Sequence, residues 1–297
     1  MKNFWQQLKA DLSRAGRGIF VLAPMADVTD CVFREIINKY GKPDVFWTEF
    51  VSADGLAHPV AREKLLIDLR YDKAEHPIVA QIFGGKPDNI REAAKLCAEL
   101  GFDGVDINMG CPDKAIEKQC AGSGMIKNPP LAREVIRAAI EGAGGLPVSV
   151  KTRIGYNKNE METWLREVLS EDIAVLTVHL RTRKEMSDVP AHWDLMKRIL
   201  EIRDEVNKNV LIFGNGDVLD INDAHQKVKE TGCDGIMLGR AIFGNPWLFA
   251  GKVPTLEEKL KVMIEHTKLF EKVLSPHKNF AIMKKHYKAY VNNFEGA

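Results

Sequence analysis

Three polar residues of this chain follow short apolar runs and together could bind one ligand. Gln81, Lys151 and His179 each stand at or near the end of such a run. Hydrogen-bonding side chains of these types can hold a planar heteroaromatic ring, and a lysine ammonium can stabilise negative charge on a reduced ring system. Alone, a lysine there is more often a salt-bridge partner and a histidine more often a satisfied core residue. The prediction therefore depends on the fold bringing the three together.

Two glycine-containing segments indicate a phosphate site. They are Phe213-Gly214-Asn215-Gly216-Asp217 and Leu238-Gly239-Arg240-Ala241. Glycines let backbone N–H groups approach an anion, and a helix that begins at Arg240 would add its positive N-terminal end. We therefore predict a phosphate-bearing ligand here rather than plain turn glycines.

The cysteines divide by position. Cys111 closes an apolar run, where its thiol could act as a proton donor or a nucleophile. Cys31, Cys97 and Cys233 lie in predicted helices or just before a strand, and we expect them to be small buried hydrophobic residues. The role of Cys120 stays open.

Cations are concentrated on two segments that follow these runs. Lys114 and Lys118 lie near Cys111, and Arg181, Arg183 and Lys184 follow His179. They could meet a polyanion larger than a cofactor. An ordinary solvated loop explains them equally well.

The elements that must position these residues are short β-branched runs separated by helical segments, the pattern of repeated βα units. The eight predicted strands are Ile19–Pro24, Val45–Glu49, Ile78–Phe83, Gly104–Met109, Val148–Arg153, Val175–Leu180, Val210–Gly214 and Gly235–Gly239. Helices are predicted at 29–40, 88–100, 130–143, 160–170, 193–206 and 220–231, with a loop-rich connection at 52–77. We predict an α/β fold, a closed (β/α)8 barrel whose site lies at the C-terminal ends of the strands. A doubly wound open sheet is the alternative, weakened because no Gly-x-Gly-x-x-Gly follows the first strand.

The chain has 297 residues, 45% of them hydrophobic, and 42 basic against 41 acidic side chains. This balance argues against a protein that coats nucleic acid or membrane by bulk charge. The charge is segregated, however, because residues 251–297 hold nine Lys and five acidic residues, a net charge of +4. Helices are predicted there at 255–274 and 278–293. We predict a barrel domain at 1–250 and a basic helical domain at 251–297.

The cysteines and the N-terminal segment indicate the cellular compartment of the protein. Five Cys without a C-x-x-C pair indicate neither a disulfide framework nor a metal site, so a reducing cytoplasm fits best. The first apolar run, Ile19 to Ala23, is too short for a signal sequence or a membrane span.

Taken together, these segments resemble the tRNA-dihydrouridine synthases. The matching stretches occur in that family's order: Ala23-Pro24-Met25-Ala26 with Thr29-Asp30, Val79-Ala80-Gln81-Ile82, Asp106-Ile107-Asn108-Met109-Gly110-Cys111-Pro112, Val150-Lys151-Thr152-Arg153, Thr177-Val178-His179 with Arg181-Thr182-Arg183, Asn215-Gly216-Asp217 and Gly239-Arg240. The resemblance implies an FMN-dependent (β/α)8 barrel followed by a small helical domain that helps to bind RNA.

The resemblance also implies roles for individual residues. Those assigned to FMN are Pro24, Met25, Ala26, Gln81, Lys151, His179, Asn215, Gly216, Asp217, Gly239 and Arg240, and those assigned to the RNA substrate are Asn108, Arg153, Arg181 and Arg183. Cys111 would be the catalytic acid. The expected reaction is reduction of FMN by NADPH, or by NADH, followed by hydride transfer to C6 of an unstacked uracil in tRNA and protonation of C5 by Cys111.

Three departures from the family pattern leave the subfamily and the RNA-facing details open: Leu180, Cys120, and the segment 185–192, which lacks the usual Tyr. We expect the helical domain to be short or truncated, and the protein to be a monomer. Two alternatives stay open. One is a flavin barrel that acts on free pyrimidines, and the other is a flavin-free barrel, either a Lys151 Schiff-base lyase or an RNA-binding module.

Overall fold

The computed structural model describes residues 3–292, and within them eight parallel strands form one sheet. The strands are β1 (Ile19–Leu22), β2 (Phe46–Ser52), β3 (Ile78–Phe83), β4 (Gly104–Met109), β5 (Val148–Arg153), β6 (Val175–His179), β7 (Leu211–Asn215) and β8 (Gly235–Leu238). From β2 to β8 each strand pairs with the next along the chain, and β8 pairs with β1. A parallel bridge between Val21 and Val45 closes the ring on the side of β2. The sheet is therefore the predicted closed barrel.

In the described part of the chain, twelve α-helices accompany the strands: α1 (Phe4–Arg14), α2 (Cys31–Gly41), α3 (Ala53–Ala57), α4 (Pro59–Leu65), α5 (Pro87–Glu99), α6 (Lys114–Glu117), α7 (Pro129–Gly142), α8 (Met161–Leu169), α9 (Met196–Val206), α10 (Ile221–Thr231), α11 (Leu256–Val273) and α12 (Met283–Tyr290). Short 3₁₀ helices lie at Leu66–Leu69, Lys73–Glu75, Gly122–Lys127, Trp193–Leu195, Arg240–Ile242, Leu248–Ala250 and Phe280–Ile282. None of the helices within residues 3–292 is long and apolar enough to span a membrane.

The strands are mostly apolar because both faces are covered. Every residue of β1, β3, β4, β7 and β8 is buried, as expected for parallel strands with helices outside and side chains filling the barrel. Helix starts follow ordinary capping rules: the Asp30 carboxylate caps α2, and Asn128 caps α7 ahead of Pro129.

Two parts of the sequence prediction are corrected by the structure. The connection at 52–77 is not mainly loop, because it contains α3 and α4. Ser52 caps α3 and Pro59 begins α4, and helices of five and seven residues are too short to show a helical period. Helix α1 was also missed, since Trp5 is its one buried residue and the segment reads as polar.

Helix α1 closes the bottom of the barrel. Trp5 is fully buried and packs against Trp47 of β2 and Phe213 of β7, with ring centroids 5.6 Å away in both pairs. The Gln6 side chain donates to the carbonyl oxygen of Asn209 at 3.0 Å. The first helix of the chain therefore fills the end of the barrel opposite the C-terminal ends of the strands.

The C-terminal helices lie against α2. Phe270, Leu274 and Met283 form an apolar cluster with Cys31 and Val32. Helix α11 agrees with the prediction of 255–274, whereas α12 begins five residues later than expected, after a 3₁₀ turn. The division into domains at residue 250 stays a prediction. The last residues of the predicted helical domain, 293–297, lie outside the described part of the chain.

Substitution of Trp5 by Ala should destabilise the protein by about 3–5 kcal/mol, because it empties the bottom of the barrel. The midpoint of urea unfolding measures this effect. Gln7→Ala changes an exposed residue of the same helix and should stay within about 0.5 kcal/mol of the parent. Equal midpoints for the two variants would contradict the role assigned to α1.

Candidate active site

The strand register brings the predicted residues to one end of the barrel. Asn108 pairs with Lys151, Arg153 pairs with His179, and His179 pairs with Asn215. These positions lie at the C-terminal ends of β4 to β7, the rim that carries the site in barrels of this type.

A cavity of about 720 Å³ opens at this rim. Nine of the residues predicted to bind the cofactor line it: Pro24, Met25, Lys151, His179, Asn215, Gly216, Asp217, Gly239 and Arg240. Arg153 and Arg181, predicted to contact substrate, line it as well. Gln81, Ala26, Asn108, Arg183 and Cys111 are not on its wall. Most of the residues predicted to bind the cofactor therefore lie at one cavity, and their roles stay predictions.

Lys151 is the cation available to a ligand in this cavity. Its side chain is half-buried at the cavity wall, and it makes no side-chain hydrogen bond or ion pair with any residue between 3 and 292. Burial first, and the positive charge of Arg153 second, lower the pKa of Lys151 to about 8. A half-buried, unpaired ammonium can stabilise an electron-rich ligand atom that lies beside it.

A polar network lies behind the cavity wall. The buried Gln81 amide donates to Asp106 at 2.6 Å and accepts from the Asn108 amide at 3.1 Å, and Ser149 also donates to Asp106. Burial raises the pKa of Asp106 to about 6. Asp106 was not predicted as a site residue, although it stands in the motif that ends at Cys111. Within this network the orientation of Gln81 is fixed by the protein.

His179 is held in one tautomer by its neighbour. The Arg181 guanidinium, which can only donate, lies 3.1 Å from Nε2 of His179. Burial, followed by the charges of Arg153 and other cations, keeps the pKa of His179 well below its usual value. The ring is therefore neutral with its proton on Nδ1, which has no partner in the described chain and can donate to a ligand.

Asp217 joins the loops after β6, β7 and β8. One carboxylate oxygen accepts from Arg181 and from the Ala191 N–H, and the other accepts from Arg240 at 2.6 Å. The hydrogen bond from Arg181 is the main reason why the pKa of Asp217 lies below its usual value. Gly216 precedes it with φ of 128°, and a Cβ there would lie 2.8 Å from the Cβ of Ala191. Only glycine fits this close approach.

The glycine segment after β8 differs from the expectation in one respect. Gly239 lies under Met25, whose Sδ would be 3.9 Å from a Cβ at this position. The helix expected to begin at Arg240 is a 3₁₀ helix of three residues, so the anion-binding capacity rests on the Arg240 side chain and backbone N–H groups. The Arg240 side chain is 66% exposed.

Cys111 is held by its backbone on both sides. Its N–H donates to Asn108 Oδ1 at 2.9 Å, and its carbonyl oxygen accepts from the N–H and the hydroxyl of Ser123, each at 2.9 Å. The half-buried thiol lies beside an apolar cluster of Phe83, Ile116 and Ala121. Burial raises the pKa of Cys111, so the thiol stays protonated at neutral pH. Pro112, the next residue, is on the cavity wall.

The three arginines predicted for substrate have internal partners. Arg153 donates to the carbonyl oxygens of Gly110 and Thr182. Arg183 forms an ion pair with Glu117 at 2.7 Å and lies over the ring of Tyr156. Together with Arg181, they hold the loops of the rim in place.

Besides Arg240, three lysines of the rim loops are exposed. Lys114, Lys118 and Lys184 are solvent-exposed, and none forms an ion pair with another described residue. Ala26 is exposed and off the cavity wall. Residues 3–292 contain no group of three His, Cys, Asp or Glu side chains that could hold a metal.

Sequence reasoning missed several residues of the wall, among them Met186, Ser187, Val218 and Leu219. They lie in loops without a motif of their own. The cysteine predictions fare better: Cys31, Cys97 and Cys233 are buried, and Cys120 is exposed.

Comparisons with known proteins agree with this geometry. A family model described as "Dihydrouridine synthase (Dus)" matches residues 21–297. The "Probable tRNA-dihydrouridine synthase" of Staphylococcus aureus strain N315 is 43% identical over 301 aligned positions, which cover 100% of this chain and 89% of the relative. The "Probable tRNA-dihydrouridine synthase 2" of Bacillus subtilis strain 168 is also 43% identical, and the alignment covers 100% of this chain and 90% of that relative.

Solved structures resemble this one in fold alone. An old yellow enzyme homologue from Zymomonas mobilis superposes with a TM-score of 0.53 at 15% identity, over 77% of this chain and 86% of its own. Morphinone reductase in complex with tetrahydroNAD gives a TM-score of 0.54 at 14% identity, over 81% of this chain and 89% of its own.

Limited alkylation should separate the five thiols. At pH 8.5 we expect iodoacetamide to modify Cys120 first because it is exposed, and Cys111 more slowly because burial raises its pKa and shields it. Cys31, Cys97 and Cys233 should react only after unfolding. Peptide mass spectrometry reports the order, and a Cys111 that reacts ahead of Cys120 would show an activated thiolate instead of a protonated acid.

Proposed function

The chain belongs to the dihydrouridine synthase family, and from that premise we propose that it binds FMN in the barrel cavity and uses NADPH to reduce uridines of tRNA to 5,6-dihydrouridine. The observation that carries the proposal is the unpartnered Lys151 ammonium at the wall of a cavity of about 720 Å³. A volume in this range suits a ligand of cofactor size. Gly216, Gly239 and Arg240, which we assign to a phosphate, lie on the same wall.

The residues present fit a flavin nucleotide. We assign the ring to Lys151, His179 and the loop of Pro24 and Met25, and the phosphate end to the segments around Gly216 and Gly239. When bound, the flavin supplies the redox chemistry, accepting a hydride from the nicotinamide and delivering it to the uracil. The protein supplies the charge that favours this transfer and the orientation of the ring. Gln81 and Asp106 support the wall from behind, and Ala26 has no direct part.

Cys111 is our candidate for the acid that protonates C5 of the uracil. Its raised pKa keeps the proton on sulfur at neutral pH. The hydrogen bond from the Cys111 N–H to Asn108 and the one from Ser123 to the Cys111 carbonyl oxygen fix the backbone that carries the thiol. A general acid needs both a held proton and a fixed position. We assign Asn108, Arg153, Arg181 and Arg183 to shaping the substrate side of the rim.

We propose that the RNA lies across the rim and the C-terminal helices, with the protein acting as a monomer. The exposed Lys114, Lys118 and Lys184 at the rim, and the exposed Lys284 and Lys288 of α12, supply charge for RNA phosphates. Recognition of an unstacked base fits an open cavity at the end of a barrel. The same activity assayed on free uracil separates this proposal from a free-pyrimidine dehydrogenase, which would reduce the base without RNA.

Cys111→Ala should bind FMN and oxidise NADPH as the parent does, while dihydrouridine formation in tRNA falls about a hundred- to ten-thousand-fold, since only the proton donor is lost. Flavin absorbance, NADPH consumption and mass spectrometry of digested tRNA measure the three quantities. Cys120→Ala is the matched control and should form dihydrouridine normally. Undiminished product from Cys111→Ala would remove Cys111 from the role of acid.

The pH dependence of NADPH oxidation without RNA should report Lys151. Because the folded pKa of Lys151 is about 8, its positive charge is present below pH 8, and the rate should fall as the pH rises through 8 and above. Lys151→Met should be slow at every pH, whereas Lys95→Met, on the outer helix α5, should retain the parent profile. A parent rate that increases with pH across this range would contradict the assignment.

A further inference from the structure

A lysine of the C-terminal segment points inward. Lys278 lies between α11 and α12, and its ammonium forms ion pairs with Glu49 at 2.7 Å and Asp68 at 2.6 Å. Its side chain is 12% exposed. Unlike the exposed Lys284 and Lys288 of the same segment, it is turned away from any RNA that lies on the surface.

The partner of Lys278 holds the loop after β1. Glu49, a buried residue of β2, contacts Lys278 with one carboxylate oxygen and accepts the backbone N–H of Asp27 with the other, at 2.5 Å. Asp27 lies two residues after Met25, which lines the cavity. A continuous chain of charged hydrogen bonds therefore runs from the C-terminal segment to the loop at the cavity wall.

The backbone of this loop is unusual at one residue. Asp27 has φ of 55°, in the left-handed region that residues other than glycine adopt uncommonly, although aspartate does so more often than most. The turn is closed internally by bonds from the N–H groups of Val28 and Thr29 to the Met25 carbonyl oxygen. The Asp27 N–H to Glu49 bond ties this residue to β2, and Lys285 of α12 adds a longer ion pair with the Asp27 carboxylate at 3.8 Å.

The charges make the tie depend on Lys278. Burial raises the pKa of Glu49 to about 7, and the lysine opposes that rise. Burial alone would lower the pKa of Lys278, but Glu49 and Asp68 raise it above its usual value. Without the lysine, Glu49 would be a buried carboxyl without a counter-ion, and a protonated or displaced carboxyl accepts the Asp27 N–H less strongly.

We propose that Lys278 is a positioning residue that, through Glu49 and Asp27, sets the β1–α2 loop against the flavin, so that the C-terminal helical segment organises the cofactor site. This inference rests on the proposed binding of FMN in the cavity. It gives the segment a second task besides contact with RNA, and it places that task on a residue that RNA does not reach.

The test measures FMN affinity of the full chain by quenching of flavin fluorescence, without RNA or nicotinamide. Lys278→Met should weaken FMN binding about tenfold, the loss expected for one charge-assisted hydrogen bond. Lys278→Arg keeps the positive charge and should bind within about threefold of the parent. Thermal unfolding of each apoprotein checks that the fold is intact.

Lys39→Met is the matched control. Lys39 pairs with Glu265 of α11 at 2.6 Å, so its loss removes another ion pair between the barrel and the C-terminal helices, without any link to Asp27. It should leave FMN affinity unchanged. Equal weakening by Lys39→Met, or parent-like binding by Lys278→Met, would overturn the inference.

Two further outcomes are informative. If Lys278→Met does not fold, Glu49→Gln takes its place, because it keeps an oxygen for the Asp27 N–H while removing the charge. It should also weaken FMN binding, and a parent-like affinity would overturn the inference. A parent protein that fails to bind FMN at all would instead overturn the proposed function.

Discussion

Because all eight strands run parallel and β1 meets both β8 and β2, every strand ends at the same rim. Closure leaves no free edge and no freedom of register, since a slip of one residue would turn each apolar run away from its packing surface. The pairing of Asn108 with Lys151 and of His179 with Asn215 follows from this constraint. The site is a consequence of how the barrel closes.

Removal of water from the rim then determines the state of its ionisable groups. Burial is the main cause of the lowered pKa values of Lys151 and His179 and of the raised values of Asp106 and Cys111. Each shift favours the neutral form of the group, although Lys151 keeps its positive charge below pH 8. Ion pairs such as that of Arg181 with Asp217 lie at the loops and hold them in position.

Much of this could be predicted from the sequence, because strand ends and glycine motifs are local signals. Lys151, His179 and Gly216 were expected at or just after strand ends for that reason, and they lie there. The ion pair of Arg183 with Glu117 could not be predicted, since Glu117 lies 66 positions away and belongs to no motif. The ion pair between Lys278 and Glu49 joins residues 229 positions apart, and it could not be predicted from the sequence either.

Helix α1 has a consequence for how the chain folds. The Gln6 bond to Asn209 spans 203 positions, and Trp5 also packs on Phe213. Such non-local contacts form late and slow the folding of barrels. Trp5 therefore stays uncovered until β7 is in place, so its burial marks a late step of barrel assembly.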